Sequence, residues 1–341
     1  MNNFNLQTVL NEKKRIAIGF HPDVDGVVSM AMVVKSLEKK DFLLLAVNSP
    51  KRDFTKSQST EINKFKPDLV INIDYHPNNK EQFVKLSKIY EILTIDHHLL
   101  SKERKNWPGE VMINPELLEK DSSKFSCSKV VFDLLGIKDF RWLAAIGLIG
   151  DSVAGNWPAF MQGYSEREME MFGELSDIIS FVVLAYKHDD LAVKVLRIVI
   201  ASKSVRELHD KIYSDKKVVR AYDVIWRDIK ENLERISHAL KGKKIAFVEV
   251  KSKNNLRVIE MLSAKTKEVL ARDKILVCYQ FVGDLVEFRV MTETDFNSVS
   301  LIEGFGGGHK KRAGGAVARR EFKSTLKLIK KRVGKQGIRI E

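Results

Sequence analysis

The segment Thr94-Ile95-Asp96-His97-His98 decides the fold, because it places three chemically active side chains at the end of a short apolar run, residues 90–93. Neighbouring residues on a strand point to opposite faces, so at most one of the two imidazoles can be buried in a core. Taken alone, the segment also fits two polar residues in a loop. The surrounding pattern favours a strand that ends in functional side chains.

Short apolar runs alternate with segments of helical spacing on both sides of this segment. The predicted strands are 15–20, 42–47, 68–73 and 90–95, and the predicted helices are 27–40, 59–65 and 80–86. Strands that alternate with helices predict an α/β fold, in which a parallel sheet carries helices on both faces.

Ligand-type side chains follow three of these four strands. His21, Asp23 and Asp25 come after the first strand, Asp74 after the third, and Asp96 with its two histidines after the fourth. In an extended segment, residues spaced by two share one face, and their charges would repel unless a cation held them together. An Asp-rich helix cap is the alternative for the first group. The repeated placement favours a cation site, because α/β proteins bind ligands beyond the carboxyl ends of their strands.

The remaining chain predicts a helical region and a second α/β part. Asp151 follows a predicted helix, 140–148, and beside three acidic strand ends it is a candidate last ligand. Residues 205–240 contain no Gly or Pro and predict one long helix or two stacked helices. Strands at 245–250, 275–282, 286–291 and 316–318, with helices at 256–271 and 322–331, complete the pattern. We expect three parts: 1–155, a helical connector or cap at 156–241 that could also form an oligomer interface, and 242–341.

Composition indicates a soluble globular protein. Of 341 residues, 44% are hydrophobic and 30% are charged, which allows two ordinary cores. No stretch approaches the roughly 20 apolar residues that cross a bilayer, and the N-terminus lacks a secretion signal. The two cysteines, Cys127 and Cys278, form no disulfide or metal framework, which favours a reducing, cytoplasmic setting.

The positive charge is concentrated in the last third of the chain. Residues 241–341 contain 23 Lys and Arg against 11 Asp and Glu, which accounts for +12 of the net +13. Gly306, Gly307 and Gly308 can expose backbone N–H groups, and His309, Lys310 and Lys311 follow directly. This composition predicts contacts with a polyanion, although a lysine-rich surface and a basic turn are the alternatives. The segment does not have the spacing of a Walker loop.

These motifs resemble those of the DHH phosphoesterase superfamily. His21-Pro22-Asp23-Val24-Asp25-Gly26 resembles its first motif, Asp74 its second, Asp96-His97-His98 its signature, and Asp151 its fourth. Residues 306–309 resemble the signature of the C-terminal DHHA1 domain, and Arg312 stands where that pattern often has a small residue. The resemblance covers about residues 15–155 and 243–335, and RecJ-like nucleases of archaeal type and nanoRNases are the most similar subgroup. It implies a parallel-sheet DHH catalytic domain, a helical connector and a smaller α/β DHHA1 substrate-binding domain.

The resemblance also implies a metal-dependent exonuclease acting on single-stranded DNA or RNA, or on short oligonucleotides. Two divalent ions are expected, with Mn²⁺ preferred and Mg²⁺ possible. One would take His21, Asp23 and Asp74, and the other Asp25, Asp74, His97 and Asp151, so that Asp74 bridges them. His98 would face the scissile phosphate, Asp96 would orient a ligand histidine, and Arg289 with residues 306–311 would bind phosphates. A replication or repair protein is a further expected partner.

Two other functions remain open from the sequence. A small-substrate phosphoesterase would keep the metals and hydrolyse a cyclic dinucleotide, a phosphorylated nucleotide or pyrophosphate. A non-catalytic scaffold of replication or repair would keep only the fold. The basic last third favours a polymer, because such charge neutralises successive phosphates, and the presence of every expected ligand type argues against the scaffold. The direction of digestion does not follow from the sequence.

Overall fold

The computed structural model describes residues 4–37, 40–47, 52–186 and 189–335. The chain forms two compact units, residues 1–220 and 221–341, and the boundary falls within one long helix, Lys216–Leu240. The three-part division expected from the sequence stays a prediction. Within the described ranges, no helix is both long and apolar enough to span a membrane.

The first unit is a parallel sheet surrounded by helices. Its strands are β1 (Arg15–Phe20), β2 (Asp41–Ala46), β3 (Leu69–Ile73), β4 (Glu91–Ile95) and β5 (Val111–Ile113). Its helices are α1 (Leu6–Asn11), α2 (Val24–Lys35), α3 (Lys56–Phe65), α4 (Lys80–Ser87), α5 (Cys127–Leu135), α6 (Arg141–Gly150), α7 (Pro158–Met161), α8 (Glu166–Ala185), α9 (Asp190–Ala201), α10 (Val205–Ser214) and α11 (Lys216–Leu240), the last of which continues into the second unit.

All neighbouring strands of the first sheet are parallel, in the order β2-β1-β3-β4-β5. One face packs against α3 and α4, where Ile62 and Phe83 join the apolar side chains of Ala17, Val70 and Ile92. Helices α2 and α5 contact the sheet as well, and α6 packs against both of them. The α/β fold with a parallel sheet, predicted from the alternating pattern, is confirmed.

Two local features differ from the sequence prediction. Helix α2 begins at Val24 instead of residue 27, because the Asp23 carboxylate accepts a hydrogen bond from the Gly26 N–H and caps the helix. Asp25 therefore lies in the first helical turn rather than in an extended segment. The 205–240 region is two helices, because Asp215 has an extended backbone and separates α10 from α11.

The second unit is built on a mixed sheet. Its elements are β6 (Ile245–Glu249), α12 (Ile259–Lys265), β7 (Ile275–Val282), β8 (Leu285–Thr292), α13 (Val299–Ile302), β9 (Gly306–His309), β10 (Arg312–Ala318) and α14 (Phe322–Lys335). The strand order is β6-β7-β8-β10-β9, in which only β6 and β7 are parallel. Phe288 and Ile329 are fully buried in the core that this sheet forms with α13 and α14.

The glycine-rich segment forms a strand, Gly306–His309, which the sequence did not predict. Gly306 lies opposite Gly315, and Gly308 lies opposite Ala313. A Cβ at position 306 would lie 2.5 Å from the carbonyl oxygen of Gly314, and Gly308 has a φ of +138°. Glycine is therefore required for the close approach of β9 to β10. Because β9 is the edge strand, its outer backbone groups have no strand partner within this sheet.

Candidate metal centre

The predicted metal ligands gather at the carboxyl edge of the first sheet. The chain leaves β1 toward β2 on one side, and β3 then pairs with β1 on its other side. This reversal is the point at which open α/β sheets form a ligand crevice. His21 and Asp23 follow β1, and Asp74 follows β3, so these side chains lie on the two sides of the reversal.

Asp74 lies at the centre of the cluster. Its Oδ2 is 3.8 Å from His21 Nδ1, its Oδ1 is 3.4 Å from His97 Nε2, and the residue is 1% exposed. The backbone of Asp74 has a φ of +62°, in the left-handed region, and its N–H donates to the Ile95 carbonyl. Such a conformation is uncommon outside glycine and is found repeatedly at functional sites.

His21 and Asp23 form the first side of the cluster. Their Nδ1 and Oδ2 atoms are 2.8 Å apart. Burial acts to raise the pKa of Asp23, but the charge of His21 and the hydrogen bond from the Gly26 N–H outweigh it and lower that pKa. Asp23 is therefore a carboxylate at neutral pH, as a metal ligand must be.

Asp25, His97 and Asp151 form the second side. His97 Nε2 lies 3.3 Å from Asp151 Oδ2 and 3.9 Å from Asp25 Oδ2. The Asp25 carboxylate also accepts hydrogen bonds from the backbone N–H groups of Cys127 and Ser128, at 2.6 and 3.0 Å. These two groups belong to the first turn of α5, so the positive end of that helix stabilises the buried charge.

The charges of the cluster are incompletely balanced by the chain itself. Burial, followed by repulsion from neighbouring carboxylates, raises the pKa of Asp74 and Asp151 well above the ordinary value. Their buried atoms Asp74 Oδ1 and Asp151 Oδ2 accept no hydrogen bond from the described part of the chain. A divalent cation would supply the missing positive charge.

The donor set also fits such a cation. Three groups of side chains have ligand atoms within 4.8 Å of one another: His21, Asp23 and Asp74; Asp25, His97 and Asp151; and Asp74, His97 and His98. Asp74 and His97 each belong to two groups, so neighbouring sites would share ligands. Mixed carboxylate and imidazole donors suit Mn²⁺, and carboxylates suit Mg²⁺.

Asp96 orients two histidines beside this cluster. Its Oδ1 lies 2.7 Å from His98 Nδ1, and its Oδ2 lies 2.6 Å from His76 Nδ1. Despite its burial, the electrostatic attraction of His98 and the hydrogen bonds from His76 and His98 lower the pKa of Asp96 well below the ordinary value. A carboxylate only accepts hydrogen bonds, so both Nδ1 atoms carry the proton.

His98 is neutral in this arrangement. Burial, followed by the nearby guanidinium of Arg52, lowers the pKa of His98 to about 3 despite the Asp96 carboxylate. With the proton held on Nδ1, the second ring nitrogen is left as an acceptor. It can bind a cation or accept a proton from water.

Two contributors to this cluster were not predicted from the sequence. His76 follows Asp74 by two residues, the same spacing that drew attention to the first motif, so a signal for it was present. The two N–H groups of α5 had no such signal, because they lie more than 100 residues from Asp25 and meet it only through packing of α2 against α5.

Gly147 of α6 gives a stability prediction at this centre. A Cβ there would collide with Ser128 Oγ and lie 2.5 Å from Asp25 Oδ1, whereas a Cβ on Gly173 of α8 would meet no atom within 4 Å. We expect Gly147→Ala to lower the free energy of unfolding by about 1–3 kcal/mol and to weaken Mn²⁺ binding. Gly173→Ala should raise it by roughly 0.5–1 kcal/mol.

Urea denaturation of both variants, with Mn²⁺ titrations, checks this pair. Equal effects of the two substitutions would show that the close contact between α6 and Asp25 does not constrain the fold.

The predicted phosphate-binding residues lie in the second unit. Arg289 on β8 is half-buried, lies over Gly314 of β10, and its Nη2 is 3.6 Å from Glu260 Oε1. Gly306, Gly307 and Gly308 are on β9, and the backbone of His309 ends that strand. The side chain of His309 is outside the described residues. Lys310 and Lys311 form the turn to β10 and are exposed, at 3.4 Å from Asp295 and 3.6 Å from Glu293.

Comparisons with known proteins identify a family model and related folds. Residues 15–149 match the model of the DHH family, N-terminal domain. No curated protein matches the sequence.

Solved structures resemble nearly the whole chain. RecJ from Thermus thermophilus in complex with Mn²⁺ has 17% identity and a TM-score of 0.67, over 96% of this chain and 54% of that one. An exonuclease RecJ bound to manganese has 18% identity and a TM-score of 0.63, over 95% and 92%. A pGpG-specific phosphodiesterase from Vibrio cholerae has 14% identity and a TM-score of 0.50, over 94% and 99%. The chain thus spans about half the length of the first protein, and at these identities the similarity establishes the fold.

Proposed function

We propose that the chain is a metal-dependent exonuclease, since it belongs to the DHH phosphoesterase superfamily and has a RecJ-like fold. It would hydrolyse phosphodiester bonds of single-stranded DNA or RNA, or of short oligonucleotides, from an end. The observation that carries this proposal is the overlap of three ligand groups through Asp74 and His97.

We assign the ligands in two sets that share Asp74. The first set is His21, Asp23 and Asp74, and the second is Asp25, Asp74, His97 and Asp151. These residues would hold two divalent ions, Mn²⁺ preferred and Mg²⁺ possible. Such ions would lower the pKa of a water and stabilise charge on the attacking and leaving oxygens. The neighbouring structures that hold Mn²⁺ support this choice of metal.

The remaining residues of the site orient the ring of His98 and determine which of its nitrogens carries the proton. Asp96 fixes the ring of His98, which we assign to the scissile phosphate and its water. Because His98 is neutral with its proton on Nδ1, its other nitrogen accepts a hydrogen bond rather than donating one. His76 donates a hydrogen bond to the other oxygen of the Asp96 carboxylate and so fixes the position of Asp96.

The second unit would bind the phosphates of the substrate. Arg289, Lys310 and Lys311 supply positive charge, and the edge strand β9, with its three glycines, supplies backbone N–H groups; His309 completes the set predicted from the sequence. The charge of the last third of the chain supports a polymeric substrate. We further propose a cytoplasmic protein, consistent with the two free, buried cysteines, with a replication or repair protein as a possible partner.

A dinucleotide hydrolase is the second candidate. The similarity to a pGpG-specific phosphodiesterase, which covers 99% of that protein, favours it. Both enzymes would use the same metal centre, so only the length of the substrate distinguishes them.

Labelled substrates test the proposed function. The protein is incubated with 5′-labelled and 3′-labelled single-stranded DNA and RNA, and with pGpG, in Mn²⁺, in Mg²⁺ and in EDTA. We expect metal-dependent release of mononucleotides from the strands, and the label released first gives the direction. Hydrolysis of pGpG alone would replace the exonuclease by the dinucleotide hydrolase, and no hydrolysis of any substrate would contradict both.

A further inference from the structure

The second unit contains a cavity of about 530 Å³ that shares only Lys311 with the phosphate-binding residues proposed above. Its lining consists of Lys267, Leu270, Arg272, Glu293 and Lys311. This volume is within the roughly 300–1,000 Å³ of ordinary ligand pockets. Four of its five lining residues are charged, and three of the four are positive.

The one carboxylate among these lining residues is already shared by two cations. Glu293 Oε1 lies 3.0 Å from Arg312 Nη2, and Glu293 Oε2 lies 3.6 Å from Lys311 Nζ. Arg312 also donates hydrogen bonds to Ser263 O and Thr266 Oγ1, which fix the position of its guanidinium. Arg312, which departs from the family pattern, therefore holds Glu293 in place.

Lys267 and Arg272 have no such compensation. Among the described residues, neither forms an ion pair with a carboxylate, and both are exposed. Leu270, between them in the sequence, is 5% exposed and is the one apolar residue of the lining. Positive groups that are not paired with a carboxylate remain available to attract an anion.

The backbone that carries the third cation, Lys311, is held by hydrogen bonds. The Lys311 carbonyl accepts a hydrogen bond from the Thr292 N–H, and the Lys310 carbonyl accepts one from the Ser298 N–H. The β9–β10 turn that carries Lys311 is thus attached to the end of β8. Lys311 links the cavity to the glycine-rich segment already assigned to phosphates.

We propose that this cavity binds backbone phosphates of a single-stranded nucleic acid through Lys267, Arg272 and Lys311. The assignment of the ligand as nucleic acid rests on the proposed function, whereas the inference that the cavity binds phosphate rests on the cavity alone. Inorganic pyrophosphate presents phosphate groups of the same chemistry as the nucleic-acid backbone. The exposed, separately placed cations favour an extended chain of phosphates over one enclosed anion.

Binding by the full-length chain in EDTA, where hydrolysis is stopped, tests this proposal. Fluorescence anisotropy measures the affinity for a labelled strand of about 12 nucleotides, a length in the range of single-strand binding sites, over a range of salt concentrations. Pyrophosphate is titrated separately by calorimetry. The test variant is Lys267→Ala/Arg272→Ala. The control, Lys323→Ala/Lys327→Ala, removes the same charge from exposed positions of α14 that do not line the cavity.

We expect the test variant to bind the strand about tenfold more weakly than the control, with a salt slope reduced by about 1.4 for two lost single-strand phosphate contacts. Weaker pyrophosphate binding with unchanged strand binding would support the anion site and assign it to free polyphosphate instead of nucleic acid. Equal behaviour of the test and control variants towards both probes would overturn the proposal. Because no step requires hydrolysis, failure of the exonuclease assay leaves this result interpretable.

Discussion

Asp74→Asn is expected to lower kcat by about 10³-fold or more, equivalent to about 4 kcal/mol of transition-state stabilisation. Asp74 is the only carboxylate that approaches both His21 and His97 within 4 Å among the described residues. Removing its charge takes a ligand from both proposed ion sites at once. Asparagine is preferred to alanine as the replacement, because it tolerates the left-handed backbone at φ +62°.

The measurement combines single-turnover hydrolysis of labelled strands with a Mn²⁺ titration followed by electron paramagnetic resonance. We expect fewer bound ions as well as slower hydrolysis. Asp68→Asn is the control, since Asp68 is an exposed carboxylate beside the other end of β3 and accepts hydrogen bonds from the backbone N–H groups of Lys14 and Arg15. Full activity in Asp74→Asn would contradict the shared-ligand assignment.

Asp96→Asn is expected to reduce kcat by about 10²-fold with little change in the number of bound Mn²⁺ ions. The Asp96 carboxylate accepts a hydrogen bond from a proton-bearing nitrogen of both His98 and His76. An amide offers one acceptor and one donor, so one of the two rings must turn or move its proton to the other nitrogen. Residues that orient the groups around a metal in this way typically contribute about 10–100-fold.

Asp228→Asn separates this effect from a general loss of stability. Asp228 is a buried carboxylate of the second unit and accepts a hydrogen bond from Ser252 Oγ. We expect the two variants to lower the melting temperature comparably, while only Asp96→Asn slows hydrolysis. If Asp96→Asn instead lost its metal, Asp96 would have to be reassigned from positioning to holding the ions.

Much of the candidate metal centre could be predicted because it follows from a general property of parallel sheets. Parallel strands end at one edge of their sheet, so polar residues that follow several strands must meet there. That rule alone was enough to predict that His21, Asp74 and His97 lie together. The prediction of a DHH domain is confirmed for residues 15–149, and it rested on the order of the motifs along the sequence.

The features that escaped prediction depend on contacts between distant elements or on residues without a patterned side chain. Asp151 was predicted as a ligand, but the packing of α6 against α2 that brings it to His97 has no signal in the sequence. The β9 strand escaped because glycines carry no alternation of polar and apolar side chains. Strand β5 escaped because it has three residues, too few to show a period.

The proposed ligands lie far apart along the chain, so an ion can bind them all only after the first unit has folded. Residues 21 to 151 contribute from β1, α2, β3, β4 and α6, so an unfolded or unfinished chain has no site to offer. An ion that binds only the native state stabilises it, by about 2.7 kcal/mol at a concentration roughly one hundred times its Kd. If this centre carries the proposed activity, hydrolysis would therefore be confined to chains whose first unit has fully assembled.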